Sequence, residues 1–211
     1  MTFSNAQEAF ESYYDLISEL GDDFDNTKTL FNQGFTILNP LDNKIDTDFR
    51  KWSNKYANRE WDWYLSGNPN AEEISTHAPI WKKMMDVDGN VRSNYGWQWQ
   101  RNKQLDKVVS ILNNNSNTRQ AAISIYDGKE INTYSKDTPC TYAIQFTVHK
   151  NQLNMAVLMR SNDLWYGFCN DQYCFSKLQE SVALKLGIEV GEYYHFAHNL
   201  HIYNNFLNKK Q

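Results

Sequence analysis

A surplus of positive charge is the first thing missing: 21 Lys and Arg face 25 Asp and Glu, a net charge of −4. Acids and bases are mixed along the chain without a basic stripe, which argues against direct binding to nucleic acid. Long apolar runs are missing too, and none approaches the roughly 20 residues of a membrane-spanning helix. Cysteine is sparse and odd in number: Cys140, Cys169 and Cys174 are the only three. That is too few for a disulfide framework and suits a reducing, cytoplasmic home. The opening MTFSNAQEAFESYYDLISEL reads as an acidic amphipathic helix, without the basic and apolar regions of a signal peptide. No repeat or low-complexity segment appears. What is present is an apolar fraction of 41% with 15% aromatics, in 211 residues that fit one domain, 1–211.

The periodicity divides the chain. Residues 5–20 carry Phe10, Tyr13, Tyr14, Ile17 and Leu20 at helical spacing. The stretch DNTKTLFNQGFTILNPLDNK reads as a loop and a short strand ending at Pro40. Helical spacing returns over 46–65 and is broken by SGNPNAEE; a further helix spans 102–112 and closes at NNNSNT. AAISIY, TYAIQFTVH and NQLNMAVLMR are strand-like, the last two joined by a KNQ turn. Residues 174–186 return to helix, and YYHFAHNLHIY reads as a final strand. Helices around a mixed sheet predict a single α/β (α+β) domain.

Chemistry concentrates at the strand ends. Pro139 fixes φ and has no N–H for a ladder, so Cys140 should open the strand that follows it. Two readings compete there: a nucleophile at the mouth of a cleft, or a packed structural cysteine, the commoner fate of a free thiol. In MRSNDLWYGFCND, Arg160 and Ser161 can bind an anion at a strand end, and Asp163 and Asp171 bracket Gly167; a polar loop is the plainer alternative. His195, His198 and His201 invite a metal reading, but in a strand His198 faces away from the other two, and no Cys or Glu cluster completes a site. No metal is expected. Glu60, in REWDWYLSG, reads on residue type alone as part of an amphipathic helix end.

Together these segments resemble the thymidylate synthase family from about Glu60 to Tyr203. The motifs are REWDWYLSG with Glu60, NYGWQW with Tyr95, Pro139-Cys140, Arg160-Ser161-Asn162-Asp163 and His201-Ile202-Tyr203, in order and in register. The resemblance implies a thymidylate synthase-type mixed sheet flanked by helices. It also implies a catalytic Cys140 that attacks carbon 6 of a pyrimidine nucleotide, so that carbon 5 accepts a one-carbon unit from 5,10-methylenetetrahydrofolate. By the same resemblance Arg160 and Ser161 hold the phosphate, Arg160 also helping to keep the thiol ionised. Glu60 organises water and proton transfers, Tyr95 handles the proton at carbon 5, His201 and Tyr203 hold the sugar, and Asp163 and Trp81 lie on the folate side.

The departures carry as much as the matches. The synthases have asparagine where this chain has Asp171. A carboxamide suits the edge of uracil, whereas a carboxylate accepts from the amine of cytosine and stabilises a proton on ring nitrogen 3. Asp171 therefore implies dCMP as substrate, the pattern of the phage deoxycytidylate hydroxymethylases, which YANREWDWYLSGNPN, APIWKK and SNYGW also resemble. The sequence stops eight residues after Tyr203, at NNFLNKKQ, short of the tail with which synthases exclude water; the expectation is hydration to 5-hydroxymethyl-dCMP. The family's two successive arginines from a partner subunit are here reduced to Arg119, which implies a homodimer. The phosphate-loop arginine is absent from NTKTLFNQG, with Lys28 as its stand-in. Within the fold the rivals are a dCMP 5-methylase and a CMP 5-hydroxymethylase; outside it, a non-catalytic nucleotide-binding relative.

Overall fold

The computed structural model describes residues 1–131, 134 and 136–210. In chain order the elements are β1 (Thr2–Phe3), α1 (Ala6–Leu20), β2 (Asp22–Phe24), β3 (Thr27–Ile37), α2 (Asn54–Ser66), α3 (Glu72–Ser75), α4 (Ile80–Met84), α5 (Tyr95–Gln100), α6 (Gln104–Asn114), β4 (Ala122–Ser124), β5 (Thr141–His149), β6 (Gln152–Met159), β7 (Asn162–Asp163), α7 (Cys169–Leu186) and β8 (Glu189–Tyr203). The strands form one mixed sheet in the order β1-β3-β8-β6-β5-β4, with β2 added to β3 and β7 to β8. β5 and β6 make an antiparallel hairpin whose turn residues Lys150 and Asn151 have φ of 49° and 62°. Such a turn follows the twist of the strands. β6 and β8 are parallel, and α7 supplies the crossover between them.

Register assigns the two faces of the sheet. Phe35, Ile37, Ile123, Ile144, Phe146, Met155, Val157, Tyr193, His195 and Ala197 share one face, and all are buried. Helices α1, α6 and α7 pack against the sheet. Tyr194 (39% exposed) and the half-buried Phe196, Leu158, Ala156, Ala143 and Gln145 share the other face. A satellite cluster of Ala71, Ile74 and Val91 sits under α2, with Trp63 and Trp81 against it. Among the described residues no helix is long and apolar enough to cross a membrane.

Four expected boundaries move, each for a local reason. The loop and short strand become an 11-residue β3, because nearly its whole length pairs with β8. The helix expected over 46–65 begins only at Asn54: Asp46 bridges to Lys51, and the Ser53 side chain accepts from the Tyr56 N–H at 3.2 Å. The helix expected at 174 starts at Cys169, preceded by a π-helical turn, Leu164–Phe168, that Asp163 caps. Asn102 and Lys103 have φ of 55° and 56°, so α6 cannot start before Gln104.

Candidate active site

The β5–β6 hairpin fixes the first part of the site through backbone pairing alone. Thr141 lies opposite Met159, and the Arg160 N–H donates to the Cys140 carbonyl at 2.8 Å, so thiol and guanidinium leave neighbouring positions of one ladder. Cys140 is half-buried and stands immediately before β5, as Pro139 predicts. Arg160 donates from Nε to the Pro139 carbonyl at 3.0 Å and from Nη2 to the Thr138 carbonyl at 2.9 Å; Nη2 also lies 3.6 Å from Cys140 Sγ. Burial nevertheless pushes the thiol up to about 11, with Asp171, Asp137 and Asp163 adding to it and Arg160 opposing. Burial thus outweighs the pull of Arg160, which on its own favours the ionised thiol.

The second part is a group of acids brought in by α2, α7 and the turn before α7. Glu60 is 4% exposed; Tyr64, one turn later, donates from Oη to Oε1 at 2.8 Å, while Oε2 has no partner among the described residues. Burial raises Glu60 to about 7, with the Tyr64 bond and the nearby Tyr56 hydroxyl opposing. Asp171 lies in the first turn of α7 and is held well above the usual carboxylate range by burial and then by the charges of Glu60 and Asp163. Asn162 Nδ2 donates to Asp171 Oδ2 at 2.8 Å. Asp163 accepts the N–H of Trp165 at 2.9 Å and of Tyr166 at 3.2 Å; burial still raises it to about 6.

Tyr95 joins the two parts. It opens α5, whose cap Asn94 accepts the Trp97 N–H at 2.7 Å, and it is 5% exposed. Burial pushes its phenol far up, and the charges of Asp171 and Cys140 push it further. A Cβ on the next residue, Gly96, would fall 1.9 Å from the Tyr64 carbonyl, so glycine alone lets α5 seat this closely on α2. Asp137 accepts the Ser93 N–H at 2.7 Å and so ties the cysteine loop to the approach of α5.

The remaining expected residues fall in two groups. His201 and Tyr203 pack edge to face at 5.4 Å on β8, and His201 lies in register with Asp163. Burial lowers His201, favouring the neutral ring, and Asn199 Oδ1 sits 2.8 Å from its Nδ1. Tyr203 feels the charges of Asp163 and Cys140, behind the larger effect of burial. Ser161 follows Arg160 and is half-buried. Trp81 donates to Tyr56 Oη at 2.8 Å, and Tyr56 in turn lies against Glu60. Lys28 is turned elsewhere. It pairs with Ile202, so alternation puts its side chain opposite the face of His201 and Tyr203. Its Nζ is engaged by the Gly21 carbonyl at 3.3 Å and by Asp23 at 3.5 Å. Arg119 is exposed in the turn before the edge strand β4.

His195 and His201 are buried whereas His198 is exposed, and no group of three or more His, Cys, Asp or Glu among the described residues is arranged to hold a metal. The sequence reading had not singled out Tyr64, Asn162 or Asp137. Tyr64 was legible as the i+4 neighbour of Glu60, but nothing local marks Asp137 as a partner of Ser93.

The model of the thymidylate synthase family matches residues 21–211. A deoxyuridylate hydroxymethyltransferase of Pseudomonas phage M6 is 30% identical over 153 residues, 70% of this chain and 44% of that protein. A deoxycytidylate 5-hydroxymethyltransferase of Enterobacteria phage T4 is 33% identical over 138 residues, 61% of this chain and 55% of that protein. The chain thus spans about half the length of these relatives. The fold is shared with a thermostable thymidylate synthase A from Bacillus subtilis, at a TM-score of 0.81 and 22% identity over 97% of this chain and 82% of that one.

Proposed function

The chain belongs to the thymidylate synthase family, and on that premise we propose that it transfers a one-carbon unit to carbon 5 of dCMP and hydrates it, giving 5-hydroxymethyl-dCMP. The observation that carries this reading is the grouping of a half-buried thiol and guanidinium with several carboxyls of raised proton affinity around Tyr95. As Cys140 Sγ bonds to carbon 6, its proton must leave. Glu60, titrating at about 7, suits both acceptance and return of protons at neutral pH. Electron density then builds at carbon 5, the atom that takes the new carbon. Tyr95, beside both Cys140 and Asp171, is the group to handle the proton that carbon 5 gives up. Asp171, its proton affinity raised by burial and by the charge of Glu60, can when protonated donate to ring nitrogen 3 of cytosine, and can accept from the 4-amine.

Arg160 and Ser161 are the phosphate ligands in this reading, and His201 with Tyr203 holds the sugar. 5,10-Methylenetetrahydrofolate supplies the carbon. The orphaned Glu60 Oε2 fits a donor brought in with it, and Trp81 and Asp163 are the residues that would hold it. The half-buried sheet face of Tyr194, Phe196 and Leu158 suits a second copy of the chain, and Arg119 stands exposed just before the edge strand β4, at the sheet's rim, where a partner's phosphate site would be reached.

The test is incubation with methylenetetrahydrofolate and dCMP, CMP or dUMP, followed by product masses and tritium release from carbon 5. The expected product is dCMP gaining one carbon, two hydrogens and one oxygen. A gain of methyl with dihydrofolate formed makes the protein a methylase, and no release from any nucleotide makes it a binding protein. The phage M6 relative makes dUMP the second reading, and turnover of dUMP in preference to dCMP would replace the first.

A further inference from the structure

We propose that Asn162 is a positioning residue whose side-chain amide holds one oxygen of Asp171 and so fixes the orientation and proton affinity of the acid that reads the base. The inference rests on the proposed function for the word base, but the pairing itself stands on geometry. Asn162 is 3% exposed, and its Nδ2 donates to Asp171 Oδ2 at 2.8 Å. The other end of the amide, Oδ1, is buried without a partner among the described residues. A buried amide oxygen left unbonded is costly, and the reverse amide orientation would point an oxygen at the carboxylate. The orphan is thus explained by the donor that Asp171 takes.

The turn before α7 is shaped around this bond. A Cβ at Gly167 would come 3.0 Å from Asn162 Nδ2 and 3.3 Å from Asp171 Oδ2, a space that any larger residue would contest. Asp171 also has Glu60 and Asp163 as neighbouring charges, both of which oppose its ionisation. A cation here would lock the carboxylate in its charged form. A neutral amide N–H supports the anion more weakly and leaves the proton exchangeable. The bond occupies one side of Oδ2, leaving Oδ1 and the other side of Oδ2 to address a pyrimidine edge. This makes Asn162 a specificity residue acting through Asp171.

Carboxyl ¹³C labelling of aspartate, with Asp171→Asn to assign the resonance, reads the titration of Asp171 in the full chain without substrate. Asn162→Ala is expected to move the midpoint upward, because the lost bond favours the charged form. Asn162→Asp, close in size and lacking the donor, is expected to move it further and serves if the alanine variant does not fold. Gly167→Ala should move the same midpoint from outside the pair. With substrate, kcat/KM for dCMP relative to dUMP should fall roughly ten- to a hundredfold in Asn162→Ala, mainly in kcat. An unmoved midpoint in a folded variant overturns the proposal. Absence of any turnover by the native protein would defeat the proposed reaction, while the titration would still decide the pairing.

Discussion

Thiol and acids sit side by side in the site, yet they are assembled by different means. Cys140 and Arg160 belong to one hairpin, 20 residues apart in sequence, and a backbone bond of 2.8 Å joins them. Glu60, Asp171 and Tyr95 come from three helices, and side-chain bonds to Tyr64 and Asn162 hold the two acids. The ladder makes the first pairing robust, since it survives any substitution that spares the strands. The acids depend on helix packing, and the charge of Glu60 raises the proton affinity of Asp171, whose own charge raises that of Tyr95. In the proposed reaction the first region would fix where the attack takes place, and the second which protons are available to it.

Four substitutions probe that contrast, from the largest effect to the smallest. Cys140→Ala should abolish tritium release, by on the order of 10⁴-fold or more, while thermal stability stays close to native; a residual rate within tenfold would remove the thiol from the chemistry. Asp171→Asn should cost dCMP turnover up to about 10⁴-fold and shift preference toward dUMP. An unchanged ratio of kcat/KM for the two nucleotides would show that the acid does not choose the base.

Glu60→Gln should slow kcat roughly 10²- to 10⁴-fold and remove a limb near pH 7 from the rate profile. It also carries a stability signature. The folded-state affinity of Glu60 is raised from 4.5 to about 7, so between those values the native state binds more proton than the unfolded chain, and stability falls as pH rises through the window. Replacing the acid should flatten that slope, by on the order of 3 kcal/mol, read from denaturant midpoints at pH 5 and 8. Arg119→Ala should do least within its own chain, with unchanged stability and a KM for nucleotide raised about tenfold. An unchanged KM would leave the phosphate to Arg160 and Ser161.

Legibility followed the same division. The hairpin was readable because alternation marks both strands, the proline places Cys140 at their start, and the order of motifs places Arg160 at the other end. The acids were readable as residues but not as a titrating group, since burial is not written in the sequence around Glu60 or Asp171. The pull of Arg160 on the thiol 3.6 Å away was legible in the motifs, but the desolvation and the three carboxyls that oppose it were not. Lys28 is the nearest cation to the place of the absent arginine in sequence, but strand alternation turns it toward Gly21 and Asp23. Helix starts depart from apolar spacing where a cap or left-handed residues set the boundary.

The sequence by itself determined the strands and helices, the family to which the motifs belong, and the kinds of side chain offered to a substrate, because these are local in the chain. The tertiary structure alone decided which of those side chains meet and which of them hold protons. Proton affinity depends on exclusion of water and on charges several ångströms away through space, and neither is a property of neighbours in sequence.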